Sequence, residues 1–127
     1  MRNFVYLGAL KYPEGVRKYL AEIDIYCLMS GLDMSPLTLQ EAQLMKRPVI
    51  ATAVGGIPEL MQNNKTGYLV NTGDSSAWIE KISILLNDSQ NAKKMGQMGR
   101  KFIEENFSWE KISTDFIVAI KQFLDKT

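Results

Sequence analysis

Asp33 and Glu41 are carboxylates with seven residues between them, a spacing that suits two acids placed around one hydroxylated ligand. The residues between them read as the start of a helix. Ser35 is a good N-cap, and Pro36 suits the first helical position, where a missing N–H costs nothing. The free amides near Pro36, Leu37 and Thr38 would carry part of the helix dipole, equivalent to about half a positive charge. That makes an anion site without a lysine, suited to a diphosphate. Pro36 cannot donate, so Leu37 and Thr38 are the candidate donors. Glu41 falls about one and a half turns into the helix, so the two acids flank the space where phosphates would sit. The same residues fit a plainer reading, in which Asp33 is a loop acid and Glu41 a solvated helix residue.

These residues need a strand to launch the loop and a sheet to hold the helix. Ile25 to Met29 is apolar without alternation and reads as a strand buried on both faces. The polar break from Ser30 to Met34 follows it. The helix then turns Leu37, Ala42 and Met45 inward and ends at Lys46-Arg47, where positive charge is favoured. Further strands are expected at Phe4–Leu7, stopped by Gly8, at Pro48–Thr52, and at Tyr68–Val70 after the turn residues Asn63 to Gly67. Pro13 starts a helix over roughly 14–22, with Val16, Tyr19 and Leu20 on one face. Gly55-Gly56 makes a turn into a short helix over 57–61, where Glu59 serves its own helix. Beyond a cap at Asp74 the chain reads as helical: to about residue 87, then roughly 89–105, then a helix capped by Ser108 and carrying Ile112, Phe116, Ile120 and Phe123. Met95 and Met98 read as packing residues. Lys93, Lys94, Arg100 and Lys101 read as a solvated face. Strands alternating with helices predict an α/β fold with a parallel sheet of about four strands, flanked by helices and ending in a helical C-terminus. Ligands of such sheets sit at the carboxyl ends of the strands, which is where the Asp33 loop falls.

Composition narrows the chemistry. A chain of 127 residues fits one domain. The net charge of +1 gives no electrostatic warrant for nucleic-acid binding, while leaving a membrane-surface contact open. Cys27 is the single cysteine, so an intrachain disulfide is impossible, and its apolar setting predicts a buried, inert thiol. Histidine is absent, which removes His-assisted hydrolysis and any His-ligated metal centre. No metal or other cofactor is expected. Neither a signal peptide nor an apolar run long enough to span a bilayer is visible, so the expected compartment is the cytosol.

The order of several segments resembles the C-terminal domain of the GT-B, family-four glycosyltransferases. They are Phe4-Val5-Tyr6-Leu7-Gly8, Asp33-x7-Glu41-Ala42, Arg47-Pro48-Val49-Ile50-Ala51-Thr52, Val54-Gly55-Gly56-Ile57-Pro58-Glu59, Lys65-Thr66-Gly67-Tyr68-Leu69-Val70 and Phe107-Ser108-Trp109. The resemblance covers roughly residues 3 to 124. It implies a partial Rossmann-like sheet and a retaining transfer of a glycosyl group from a nucleotide-sugar donor to a sugar, lipid or protein. It assigns Asp33 to the donor-sugar hydroxyls and Glu41 to the ribose, and places Met34, Ser35, Leu37, Thr38, Gly55 and Gly56 in the donor site. Two departures stand out. The first acid of the family is Glu, one methylene longer than Asp33, and Met34-Ser35 stands where the family has Gly-Phe or Gly-Gly.

The same resemblance implies that residues 1–127 lack the two opening strands of the donor domain, with their phosphate-neutralising Arg and Lys, and the whole acceptor domain. Phe4–Leu7 would then be separated from the next strand by a gap in the doubly wound order 3-2-1-4-5-6. Either the first strand shifts to close that gap, or another chain covers the edge, and a homo-oligomer through the exposed sheet edge is expected. Alone, the chain is expected to have little or no turnover. The rival readings are a non-catalytic half-domain that dimerises or docks onto a partner, a sugar-nucleotide epimerase of the same architecture, and an unrelated α/β domain of response-regulator type. The last should carry an acid at the end of its first strand, and Phe4 to Leu10 offers none.

Overall fold

The computed structural model describes residues 3–126. A helix, α1 (Glu14–Glu22), leads into strand β1 (Tyr26–Leu28), helix α2 (Leu37–Leu44) and strand β2 (Val49–Thr52). A turn of 3-10 helix (Ile57–Glu59) precedes strand β3 (Gly67–Val70), and the helices α3 (Ser75–Asn87), α4 (Ser89–Asn106) and α5 (Trp109–Asp125) complete the chain. The three strands lie in the order β1-β2-β3, all parallel, with Cys27 beside Ile50 and Ile50 beside Tyr68. This is the expected α/β architecture with a helical C-terminus.

The sheet carries a different apolar layer on each face. On one, Val49 and Ala51 pack with Leu20 of α1, Leu39 and Ala42 of α2, and Ile57, Leu60 and Met61. On the other, Ile50, Tyr68 and Val70 pack with Trp78, Leu85 and Met95 of α3 and α4. All four residues of β2 are buried, as a central strand without alternation should be. The C-terminal helices start where their caps dictate. The Asp74 carboxylate accepts the Ala77 amide at 3.0 Å, and the Ser108 hydroxyl accepts the Lys111 amide at 3.1 Å.

Five sequence expectations are corrected. Leu37 does not turn inward with Ala42 but is 67% exposed, because it stands at the solvent-facing start of α2. Phe4–Leu7 forms no strand and does not move beside β1; Phe4, Val5 and Tyr6 are 70%, 75% and 85% exposed. A strand with no neighbour has no partner for its N–H and C=O groups, so the segment stays solvated. Cys27 is exposed rather than buried, because α3 and α4 cover β2 and β3 but stop short of the face of β1 on which its side chain lies. Ser35 is not the N-cap of α2; Pro36 holds that position without a side-chain cap. Met95 is buried, but Met98 is 37% exposed on the outer side of α4. Among the described residues, no helix is long and apolar enough to cross a membrane.

Candidate functional site

The loop from β1 to α2 is fixed at its start and at its apex by hydrogen bonds to its main chain. At its start, Thr52 of β2 donates its hydroxyl to the Leu28 carbonyl at 3.1 Å and accepts the Ser30 amide at 2.8 Å. At its apex the Gly55-Gly56 turn lies directly against the chain. The Gly56 amide donates to the Asp33 carbonyl at 3.0 Å. A Cβ on Gly55 would collide with the Asp33 carbonyl, and one on Gly56 with the Met34 carbonyl. Gly55 also has φ +54°, a conformation that glycine adopts without strain. In this structure the two glycines therefore shape the bed on which Asp33 and Met34 rest.

Asp33 then closes a small turn, its carboxylate accepting the Ser35 amide at 3.2 Å. Pro36 is buried and α2 opens at Leu37. The Leu39 amide is satisfied by the Pro36 carbonyl at 3.2 Å. Among the described residues the Leu37 and Thr38 amides have no such acceptor, and both residues are exposed. Open amides at the positive end of a helix are what an anion requires. The tip is solvent-facing.

Tyr26, beneath this tip, feels both acids. The Tyr26 phenol of β1 donates to Thr38 Oγ1 at 2.7 Å. Burial is the main cause holding its pKa above the ordinary 10.0; the Thr38 contact acts in the opposite sense, and the negative charges of Glu41 and Asp33 add to the rise. Asp33 and Glu41 thus act on one phenol, and each is half-buried. Glu41 also faces Tyr12, whose own phenol is held above 10.0 first by its contact with that carboxylate and then by its charge. Tyr12, Glu41, Arg17 and Leu44 line a cavity of about 260 Å³ between α1 and α2. A larger cavity of about 630 Å³ lies at the amino ends of the strands, lined by Ile25, Pro48, Lys46, Arg47 and Lys93, and shares no residue with the Asp33 loop.

The structure sets Asp33, Met34 and Ser35 against Gly55 and Gly56, just before Leu37 and Thr38 at the helix start, while Glu41 lies further along α2 beside Tyr12. Sequence reasoning missed Tyr12, Tyr26 and Thr52. Tyr26 sits in an apolar run that reads as core, and only its register places its hydroxyl under the helix tip. Glu59, on the short helix after the glycines, is exposed.

The chain is similar to several known proteins. Residues 2–102 match the family model for glycosyl transferases group 1. The chain is 36% identical over 103 residues to the N-acetyl-alpha-D-glucosaminyl L-malate synthase of Bacillus anthracis, covering 81% of this chain and 27% of that protein. Among solved structures it superposes on the C-terminal domain of a group 1 family glycosyl transferase from Francisella tularensis, with a TM-score of 0.73, 26% identity, and coverage of 81% of this chain and 53% of that one. It also superposes on a point mutant of TarM of S. aureus, solved in complex with fondaparinux, alpha-GlcNAc-glycerol and UDP, with a TM-score of 0.72, 28% identity, and coverage of 80% of this chain and 21% of that one. The chain thus spans about a quarter of the length of the Bacillus anthracis relative.

Proposed function

This chain belongs to the group 1 glycosyl transferases, and from that premise we propose that it is the donor-binding portion of a retaining glycosyltransferase. The ligand is a nucleotide-diphosphate sugar, seated at the carboxyl end of β1. Its diphosphate lies on the Leu37 and Thr38 amides, Asp33 accepts hydrogen bonds from the sugar hydroxyls, and Glu41 accepts them from the ribose. Met34 and Ser35 border the sugar, and Gly55-Gly56 holds the loop that presents Asp33.

The observation that carries this reading is the open amino end of α2, on a loop braced by Gly56 and Thr52, with half-buried Asp33 just before it and half-buried Glu41 further along the helix. Transfer moves negative charge onto the departing nucleoside diphosphate. Fixed amides and a helix dipole aimed at that charge lower the barrier without reorganising. Asp33 positions the sugar in this scheme and forms no covalent bond to it. The acceptor enters from another domain or chain. The described chain alone then binds donor with little or no turnover.

Support for this reading comes from the family membership and from UDP in the TarM structure. It is tested by calorimetric titration of the chain with UDP, GDP and ADP, their glucose conjugates, and inorganic pyrophosphate. At least one nucleoside diphosphate should bind. Glu41→Gln should weaken it about tenfold or more, since hydrogen bonds to a charged acceptor are worth about 1.5–3 kcal/mol, while leaving pyrophosphate unchanged. Asp33→Asn should weaken the sugar conjugate relative to the free diphosphate. Affinities that ignore both substitutions would overturn the assignment.

A further inference from the structure

Gln43 is a polar residue on the buried face of α2, beside Leu39 and Ala42. It is fully buried, and its side-chain amide donates to the Leu60 carbonyl at 2.9 Å and to the Leu39 carbonyl of its own helix at 3.3 Å. Its Oε1 is buried with no donor among the described residues. An unpartnered buried acceptor opposes folding, and an apolar side chain of the same length would fill the space without one. Helix α4 closes over this side chain at Gly99, where a Cβ would press on Gln43 at 3.3 and 3.4 Å. What the amide supplies, and an apolar residue could not, is the bond to Leu60.

That bond has a counterpart at the other end of the same turn. The 3-10 turn Ile57–Glu59 is flanked by Gly56 and Leu60. The Gly56 amide donates to the Asp33 carbonyl at 3.0 Å, and the Leu60 carbonyl accepts from Gln43. Between these two clips Ile57 is buried in the apolar layer that also holds Leu39 and Ala42. A turn fastened to the loop at one end and to the helix at the other fixes the loop relative to the helix. Glu41 and Gln43 stand about 200° apart around α2. Gln43 therefore pins the face of α2 away from Glu41 and opposes rotation of the helix, which would carry Leu37, Thr38 and Glu41 round relative to Asp33.

We propose that Gln43 is a positioning residue of the donor site: through Leu60 and the turn back to Gly56, it sets Asp33 relative to the amino end of α2. This role rests on the donor site proposed for that loop and helix. A nucleotide sugar spans both parts, meeting Asp33 with its sugar and α2 with its diphosphate and ribose. A free nucleoside diphosphate meets α2 alone. Gln43 thus governs recognition of the sugar and leaves binding of the diphosphate untouched.

The test substitutes Gln43→Met, which keeps the length and volume of the side chain and removes its hydrogen bonds. It exchanges one unpartnered acceptor, Gln43 Oε1, for another, the Leu60 carbonyl, so the urea midpoint should move by no more than about 0.5 M. In calorimetric titration the nucleotide sugar should lose at least about fivefold in affinity, part of what a hydrogen bond to a charged group contributes. The free nucleoside diphosphate and pyrophosphate should bind as they do to the parent. In an Asp33→Asn background the substitution should have no further effect. Hydrogen exchange reads the clip without any ligand: the Gly56 amide should exchange at least about fivefold faster in Gln43→Met, with the β2 amides unchanged. In the parent itself, the Gln43 side-chain amide should exchange at least about a hundredfold more slowly than that of exposed Gln90. Rapid exchange at the Gln43 side chain, or unchanged exchange at Gly56, overturns the proposal whatever the ligands do. So does a nucleotide sugar bound as tightly as by the parent, or an equal loss for all three ligands, which marks general loosening of the fold. A parent that binds no nucleotide overturns the donor site and this role with it, and the exchange at Gly56 tells that failure apart from the absence of the clip.

Discussion

The Gly56 amide donates to the main-chain carbonyl of Asp33 at 3.0 Å, and neither Gly55 nor Gly56 leaves room for a Cβ between the two loops. The position of the Asp33 carboxylate is therefore set by a turn more than twenty residues further along the chain. Gly56 has φ −88°, a conformation open to any residue, so the effect of a side chain there comes from collision alone. We expect Gly56→Ala to destabilise the fold by about 1–3 kcal/mol, the usual cost of overpacking, and to displace Asp33. Urea denaturation measures the first effect, and loss of discrimination between a nucleotide sugar and its free nucleoside diphosphate measures the second.

The open Leu37 amide can be removed without disturbing the helix. Leu37 is the first residue of α2, a position that tolerates proline, and Pro36 before it is extended at ψ 112°, as a residue preceding proline must be. Leu37→Pro is expected to leave the urea midpoint nearly unchanged, within about 0.5 kcal/mol. It should weaken nucleoside diphosphate binding about tenfold, in line with a lost hydrogen bond to a charged group. A titration in which Leu37→Pro binds as the parent does would remove the diphosphate from the helix tip.

Tyr26 links the site to pH. Its folded pKa is raised above 10.0, by burial first and by Glu41 and Asp33 further down the order, so the native state holds the phenolic proton more tightly than the unfolded chain does. The stability tied to that proton is fully present below the unfolded pKa of about 10 and declines as pH rises through the higher folded value. Urea midpoints measured upward from pH 9 should fall more steeply for the parent than for Tyr26→Phe. At neutral pH Tyr26→Phe should cost about 0.5–1.5 kcal/mol, the net worth of the bond to Thr38.

Cys27 is exposed at the open edge of the sheet, yet burial of part of its surroundings pushes its thiol above the ordinary 9.0. It should be alkylated completely in the native protein, with a rate that climbs with pH through a midpoint above 9.0. Complete protection from iodoacetamide in the folded chain would show that β1 is covered in solution.

The parallel α/β order was legible because β2 is apolar throughout and the helices announce their starts: Asp74 and Ser108 cap where their side chains suggested. The strand, loop and helix that carry Asp33 and Glu41 were legible for the same reason, since a strand, a polar break and a helix start are local signals. What the sequence hid depends on distant neighbours. Phe4–Leu7 has the composition of a strand, but it stays solvated and does not pair with the open edge of β1, and composition does not specify pairing. Cys27 and Met98 are apolar in type, and only the extent of α3 and α4 over the sheet decides their exposure. Tyr26 and Thr52 acquired their roles through register between β1 and β2, which no local pattern specifies. Ser35 lost its capping role because α2 opens one residue later than its position requires, with Pro36 at the N-cap.

The central claim, that the amino end of α2 holds a diphosphate, is tested most directly by following backbone amide resonances during titration with UDP. The account expects the Leu37 and Thr38 amides to shift first and furthest, followed by Asp33 and Gly56, with the same pattern for pyrophosphate and none for uridine. Shifts that appear instead around Lys46, Arg47 and Lys93, or the absence of any shift at Leu37 and Thr38, would contradict it.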